Sequence, residues 1–218
     1  MRILRLALVL TFFGAGLQAA SALTYRLAPI DDGRCGRAGA CRTALVGVGD
    51  ITEDEIERFR AFVSRMDPSV QSPRDFVIHS RGGNLGGAMK LGIVLRSIGL
   101  RAIAGTVADG SIQRGFCGSA CVFVLMGGRT RHVAPGSVVA VHAPRRIGGE
   151  GREDSSRDVT ASVDRRRYIT GALSQYARVM GVDPALIHLS MTIPHESGRV
   201  LSAQEIRRFR LTTGGGRR

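Results

Sequence analysis

The sequence predicts an α/β domain with a largely parallel sheet. Short apolar strand-like runs alternate with amphipathic helical stretches, several helices open on recognisable caps, and about 196 residues remain once an N-terminal leader is set aside (218 less 22). That length suits one domain with a sizeable core.

The leader comes first. Arg2 and Arg5 precede an uncharged apolar run from Leu6 to Leu17, and Ala20-Ser21-Ala22 supplies the small-x-small pattern that a signal peptidase reads. A run of 12 residues is too short to cross a bilayer, which takes about 20 in a helix. Residues 1–22 are therefore expected to be a cleaved signal peptide, with Leu23 the mature start and a periplasmic or secreted location. No later segment is long and apolar enough to span a membrane after cleavage.

The elements then follow in order. Thr43 to Val48 reads as a buried strand ending at Gly49. Thr52 and Glu55 are spaced as a capping box, and Ile56, Phe59, Phe62, Val63 and Met66 recur at helical intervals, which predicts a helix over 53–66 stopped by Pro68. Asp75 to His79 predicts a short strand running into Ser80-Arg81-Gly82-Gly83, with a helix from about Gly86 to Ile98. Arg101 to Val107 is the next strand, Ala108 to Gly115 an exposed loop, and Cys117 to Met126 a compact apolar helix. Val138 to Val141 is a strand that delivers His142. Gly148 to Asp158 reads as a charged, glycine-rich loop, followed by a long helix over Thr160 to Met180. Asp183-Pro184 opens a short helix, and Ser202 with Glu205 caps the last one. The domain is expected over 23–210, with 211–218 a flexible C-terminal tail.

Charge excludes less than it suggests. The chain has 31 basic against 18 acidic residues, and loss of Arg2 and Arg5 leaves 29 against 18, a net +11. The basic residues are nearly all Arg, Lys90 being the one lysine, and they are scattered without the aromatic-and-basic interleaving of a nucleic-acid site. No nucleic-acid partner is expected. The four cysteines fall as two close pairs, Cys35 with Cys41 and Cys117 with Cys121, which in an exported chain points to disulfides. Three pairings are open, and the local one is preferred. Two cysteines inside one regular helix at that spacing stand too far apart for a relaxed bridge, and a turn followed by a helix start would be less restrictive for Cys117–Cys121. Neither pair has zinc-site spacing, and neither a metal nor a cofactor is expected.

Three segments carry chemistry. In Phe76-Val77-Ile78-His79-Ser80-Arg81-Gly82-Gly83, a strand ends in two glycines that let the backbone turn sharply and leave N–H groups facing outward. In Gly115-Phe116-Cys117-Gly118-Ser119-Ala120-Cys121, Ser119 stands before an apolar helix, flanked by small residues that let a substrate approach. In Val139-Ala140-Val141-His142-Ala143-Pro144, a histidine ends a strand, held rigidly enough to act as a general base. Taken singly these are an ordinary turn, a serine cap and a histidine at a sheet edge.

Taken in order, the three resemble the proteolytic subunit of Clp protease, and more closely its exported bacterial relatives with Cys-x-Ser-x-Cys at the nucleophile. The resemblance runs from Thr43 to Leu211. It implies a Clp-protease/crotonase-like core of repeated β-β-α units, Ser119 as nucleophile, His142 as base, and the N–H groups of Gly83 and Ala120 as an oxyanion hole. A histidine without an orienting partner still works as a base, but loses much of its tautomer control, on the order of 10⁴ in rate. The family aspartate precedes a Leu-Ser-Ala-x-Glu stretch, matched here by Leu201-Ser202-Ala203-Gln204-Glu205, and Gly198 stands in its place. Glu196 is the nearest carboxylate and the candidate third member. Lysine-based relatives such as the signal peptide peptidases fit poorly, because Lys90 lies mid-helix, and the coenzyme A-binding crotonases use carboxylates instead. The expected function is a periplasmic serine hydrolase acting on peptide or protein substrates. The alternative is a catalytically inactive Clp-like binding or scaffold protein, which Gly198 motivates. Clp subunits form rings, which makes a homo-oligomer an open expectation, although no ring-forming surface is identifiable.

Overall fold

The computed structural model describes residues 21–31, 41–68, 73–145 and 156–214, without the side chains of 156–162. Chain order is β1 (Thr24–Ile30), β2 (Arg42–Val48), α1 (Glu55–Val63), β3 (Asp75–His79), α2 (Leu85–Ser97), β4 (Arg101–Ala104), β5 (Thr106–Ala108) and β6 (Ser111–Gln113). It continues with β7 (Phe116–Gly118), α3 (Cys121–Gly127), β8 (Arg131–Val133), β9 (Val138–Val141), α4 (Ser156–Val179), α5 (Ala185–Met191), β10 (Arg199–Val200) and α6 (Ala203–Arg208).

The main sheet has strand order β1-β2-β3-β4-β8, parallel from β2 to β8, with β1 antiparallel on the edge. Pro29 sits in that edge strand, where a missing N–H costs the ladder least. A small sheet, β10-β9-β7, stands beside it. Phe76, Leu91, Leu95, Leu125 and Met180 are fully buried between sheet and helices, each contributing roughly 2 kcal/mol of transfer free energy. Helices α2 and α3 meet backbone to backbone: a Cβ on Gly127 would lie 2.3 Å from the Gly92 Cα. This close approach carries the start of α3 under the Gly82-Gly83 turn.

Several expectations need correction. The stretch 108–115 is mostly hairpin: β5 and β6 pair antiparallel across Asp109 (φ 49°) and Gly110 (φ 68°), a two-residue turn whose twist suits strands. The stretch 117–126 is not helical throughout, because Phe116–Gly118 pairs with β9 and α3 starts only at Cys121. Residues 156–158, expected in a loop, belong to α4. Thr52 does not cap α1 with its hydroxyl. That hydroxyl and the Thr52 N–H instead donate to Glu55 Oε2 (3.1 and 2.9 Å), and Tyr25 Oη donates to Glu55 Oε1 (2.6 Å), so a completely buried carboxylate ties α1 to β1. The capping box of Ser202 and Glu205 forms as expected.

The C-terminal segment is no loose tail from 211 onward. Leu211 is fully buried, and Thr213 exchanges hydrogen bonds with the Arg131 backbone (2.7 and 3.1 Å). The Arg131 guanidinium, itself buried, donates to the carbonyls of Met180, Arg210, Leu211, Gly128 and Gly181 at 2.9–3.5 Å. These carbonyls follow α3, α4 and α6, so one cation neutralises the negative ends of three helices. Burial, then the charges of Arg96 and Arg210, push Arg131 down to about 10. It remains a cation at neutral pH.

Candidate functional site

Two parallel pairings assemble the three segments. Ser80, just past β3, donates to Phe116 O (2.8 Å) and accepts from Gly118 N–H (3.0 Å). Strand β7 then runs parallel to β9, with Gly118 opposite Ala140, and Ser119 N–H donates to Ala140 O (2.9 Å). Ser119 thus leaves β7 level with the end of β9, where His142 begins. His79 supports the arrangement, since its Nδ1 accepts from Phe116 N–H at 3.1 Å.

The turn at Ser119 is strained. Its φ of 53° lies in the left-handed region, which is uncommon for a non-glycine residue and costs of order 1 kcal/mol. The strand-turn-helix course lifts the serine out of regular structure and points it at a cavity of about 250 Å³. Cys117 and Cys121 bracket the turn in a disulfide with Cα atoms 5.2 Å apart, one cysteine in the strand and the other opening the helix. The expected Cys35–Cys41 pairing involves Cys35, which lies outside the described residues, as does nearly all of the expected leader.

Gly82 and Gly83 have φ of 119° and 128°. A Cβ on Gly82 would stand 2.8 Å from Ser119 Cβ, and one on Gly83 would stand 2.2 Å from Ile51 O. Only glycine lets this backbone press against the serine turn. Among the described residues, the N–H groups of Gly83 and Ala120 have no hydrogen-bond partner, whereas Ile51, Asn84, Ser119 and Val122 around them all donate. Gly83 and Ala120 line the same cavity as Ser119 and His142. Two such donors beside a hydroxyl can bind a developing negative charge on a substrate oxygen. Much of the remaining wall is apolar, from Val122, Phe123 and Met126 of α3, Leu173 of α4 and Ile187 of α5, with Asn84, Arg145, Ser190 and His195 as its polar members.

His142 makes both of its ring contacts through Nδ1, 2.7 Å from Ala143 O and 3.2 Å from His195 Nδ1. Its Nε2 makes no hydrogen bond among the described residues. No hydrogen bond joins His142 to Ser119 among the described residues, although both line the same cavity. Glu196 is not brought to His142; it is exposed and makes no hydrogen bond or ion pair among the described residues. The antiparallel register of β9 with β10, Val141 opposite Arg199, sets Gly198 across from His142, and a Cβ there would meet nothing within 4 Å. The group beside His142 is instead His195, edge to face with ring centroids 4.5 Å apart. Sequence reasoning passed over His195, whose only signal is its place next to Glu196.

No family model matches the chain, and no curated protein matches it. Among solved structures it is similar to a membrane-bound, stomatin-specific protease, determined as a serine-to-alanine mutant. The match has 13% identity and a TM-score of 0.51, and covers 78% of this chain and 75% of that one. The fold is that of the Clp-protease group. At this identity the likeness extends to architecture alone.

Proposed function

We propose that the protein is an exported serine hydrolase that cleaves peptides. Ser119 Oγ attacks the scissile carbonyl while His142 Nε2 takes its proton. The oxyanion is held by the N–H groups of Gly83 and Ala120, and His142 returns the proton to the leaving amine. Water, activated by the same histidine, then releases the acyl group from Ser119. The observation that carries this reading is Ser119 itself, held at φ 53° on the rim of a cavity it shares with His142 and two unpartnered N–H groups. An ordinary helix cap needs none of that strain. The apolar wall suits a large apolar side chain, and the fold shared with a stomatin-specific protease supports peptides over other acyl substrates.

Gly198 favours a second reading, a binding protein that keeps the fold without the chemistry. A fluorophosphonate separates the two, since it labels only an activated serine. Wild type is expected to label, Ser119→Ala not at all, and His142→Ala at least about 100-fold more slowly. In peptide turnover, by contrast, the double variant should be scarcely worse than either single one, because the two residues act as a unit. Folded wild-type protein that resists labelling would count against the hydrolase reading and in favour of the binding one.

Export forms part of the proposal. Leu23 is fully buried and its N–H donates to Asp50 O (2.7 Å), so a chain beginning there keeps its first strand anchored. Mass analysis of protein from the periplasm, without reductant, should find Leu23 at the N-terminus and no free thiol. Retained Met1 or titratable thiols would count against it.

A further inference from the structure

Two imidazoles whose Nδ1 atoms lie 3.2 Å apart must agree on where their protons sit. A neutral pair has two protons for four nitrogens, and the fixed neighbours compete over them. The Ala143 carbonyl, 2.7 Å from His142 Nδ1, calls for a proton on that nitrogen, because a carbonyl only accepts. Arg145 Nε, 3.3 Å from His195 Nε2, calls for a lone pair there, because a guanidinium only donates. The second demand puts the His195 proton on Nδ1, facing His142 Nδ1. Two N–H groups cannot point at each other across that gap, so one demand yields.

Building on the Ser119–His142 reading, we infer that His195 is the positioning residue for His142, and that Arg145 decides which tautomer it imposes. With Arg145 bonded to His195, His195 donates to His142 Nδ1. The His142 proton then lies on Nε2, and the ring cannot accept from Ser119. With Arg145 withdrawn, His142 holds its proton on Nδ1, shared between Ala143 O and the His195 lone pair, and Nε2 is a free base. The exchange balances. One proton passes from His195 Nδ1 to His142 Nδ1, water takes the proton on His142 Nε2, and water supplies one to His195 Nε2. Arg145 is exposed at the cavity rim, where solvent competes for its donors and both states are accessible.

The test uses the full ¹⁵N-labelled protein, read by imidazole nitrogen shifts above histidine's ordinary titration range, about pH 8, together with the rate of fluorophosphonate labelling. Arg145→Met removes the donor at an exposed position on the cavity rim. His195→Asp sets a carboxylate oxygen one bond from Cγ, where His195 Nδ1 now stands, and that oxygen can only accept. His195→Phe keeps a ring without nitrogens. In wild type, His142 Nε2 should carry the proton. All three variants should move it to Nδ1, and Arg145→Met and His195→Asp should label about tenfold faster. A wild-type His142 already protonated at Nδ1, or shifts unmoved by Arg145→Met, would overturn the inference. Shifts that exchange as expected while no variant labels would uphold the relay and remove the hydrolase reading. Labelling that depends on Ser119, with shifts unmoved, would do the reverse.

Discussion

A single methyl group separates Gly83 from alanine, and the structure has no room for it. The added carbon would lie 2.2 Å from Ile51 O, at a φ of 128° that alanine rarely adopts. Relief requires breaking the Ile51–Gly83 bridge and swinging away an N–H that faces the cavity. Gly83→Ala is therefore expected to cost about 3 kcal/mol or more in urea denaturation and to slow labelling of Ser119 about 100-fold. The same change at Gly171, in α4 with open space around it, should stabilise by roughly 0.5–1 kcal/mol. Equal costs at the two sites would mean that the tight turn carries no strain. The sequence showed His142 at the end of a strand and Gly83 in the glycine turn that follows one, but it set Ser119 at the start of a helix, without the strand β7 that precedes it. His195 was not legible, because a lone histidine in a turn forms no pattern, and the expected acid was sought one residue further on.

At the scale of elements, legibility followed periodicity. The long helix α4 and the capping box of α6 rest on local signals; the box forms where expected, and the helix starts four residues before its expected position. The run 117–120 has no period, and it becomes a strand and turn because β9, some two dozen residues downstream, supplies the pairing. Asp109-Gly110 did carry a hairpin signal, masked by the polar stretch around it. Nothing local announced that Glu55 would be buried beneath Tyr25. That contact has a measurable signature. Burial first, then the hydrogen bond to Glu55, raises the Tyr25 phenol well above its ordinary value. A raised pKa holds stability in full below the unfolded value of about 10, and the stability falls as pH climbs past it. Tyr25→Phe should be less stable at neutral pH, because Glu55 loses a donor. Above pH 10, wild type should converge on it by up to about 1.4 kcal/mol per pH unit. Parallel stability curves for the two proteins would show that the phenol is not held in this way.

For the molecule as a whole, Arg131 joins parts that no single element brings together. Its donors reach carbonyls at 128, 180, 181, 210 and 211, and its backbone pairs with Thr213. Arg131→Met should strand several buried acceptors at once and cost about 3 kcal/mol or more in urea denaturation. Arg131→Lys should recover little of it, since one ammonium cannot serve acceptors on three sides. A loss below about 1 kcal/mol for Arg131→Met would mean that water replaces the guanidinium there. The same junction bears on timing. A chain delivered N-terminus first through a channel brings out Arg131 well before residue 210. Throughout that interval the cation lacks its last acceptors and the sheet edge lacks Thr213. The junction is completed only when residues 210–213 emerge.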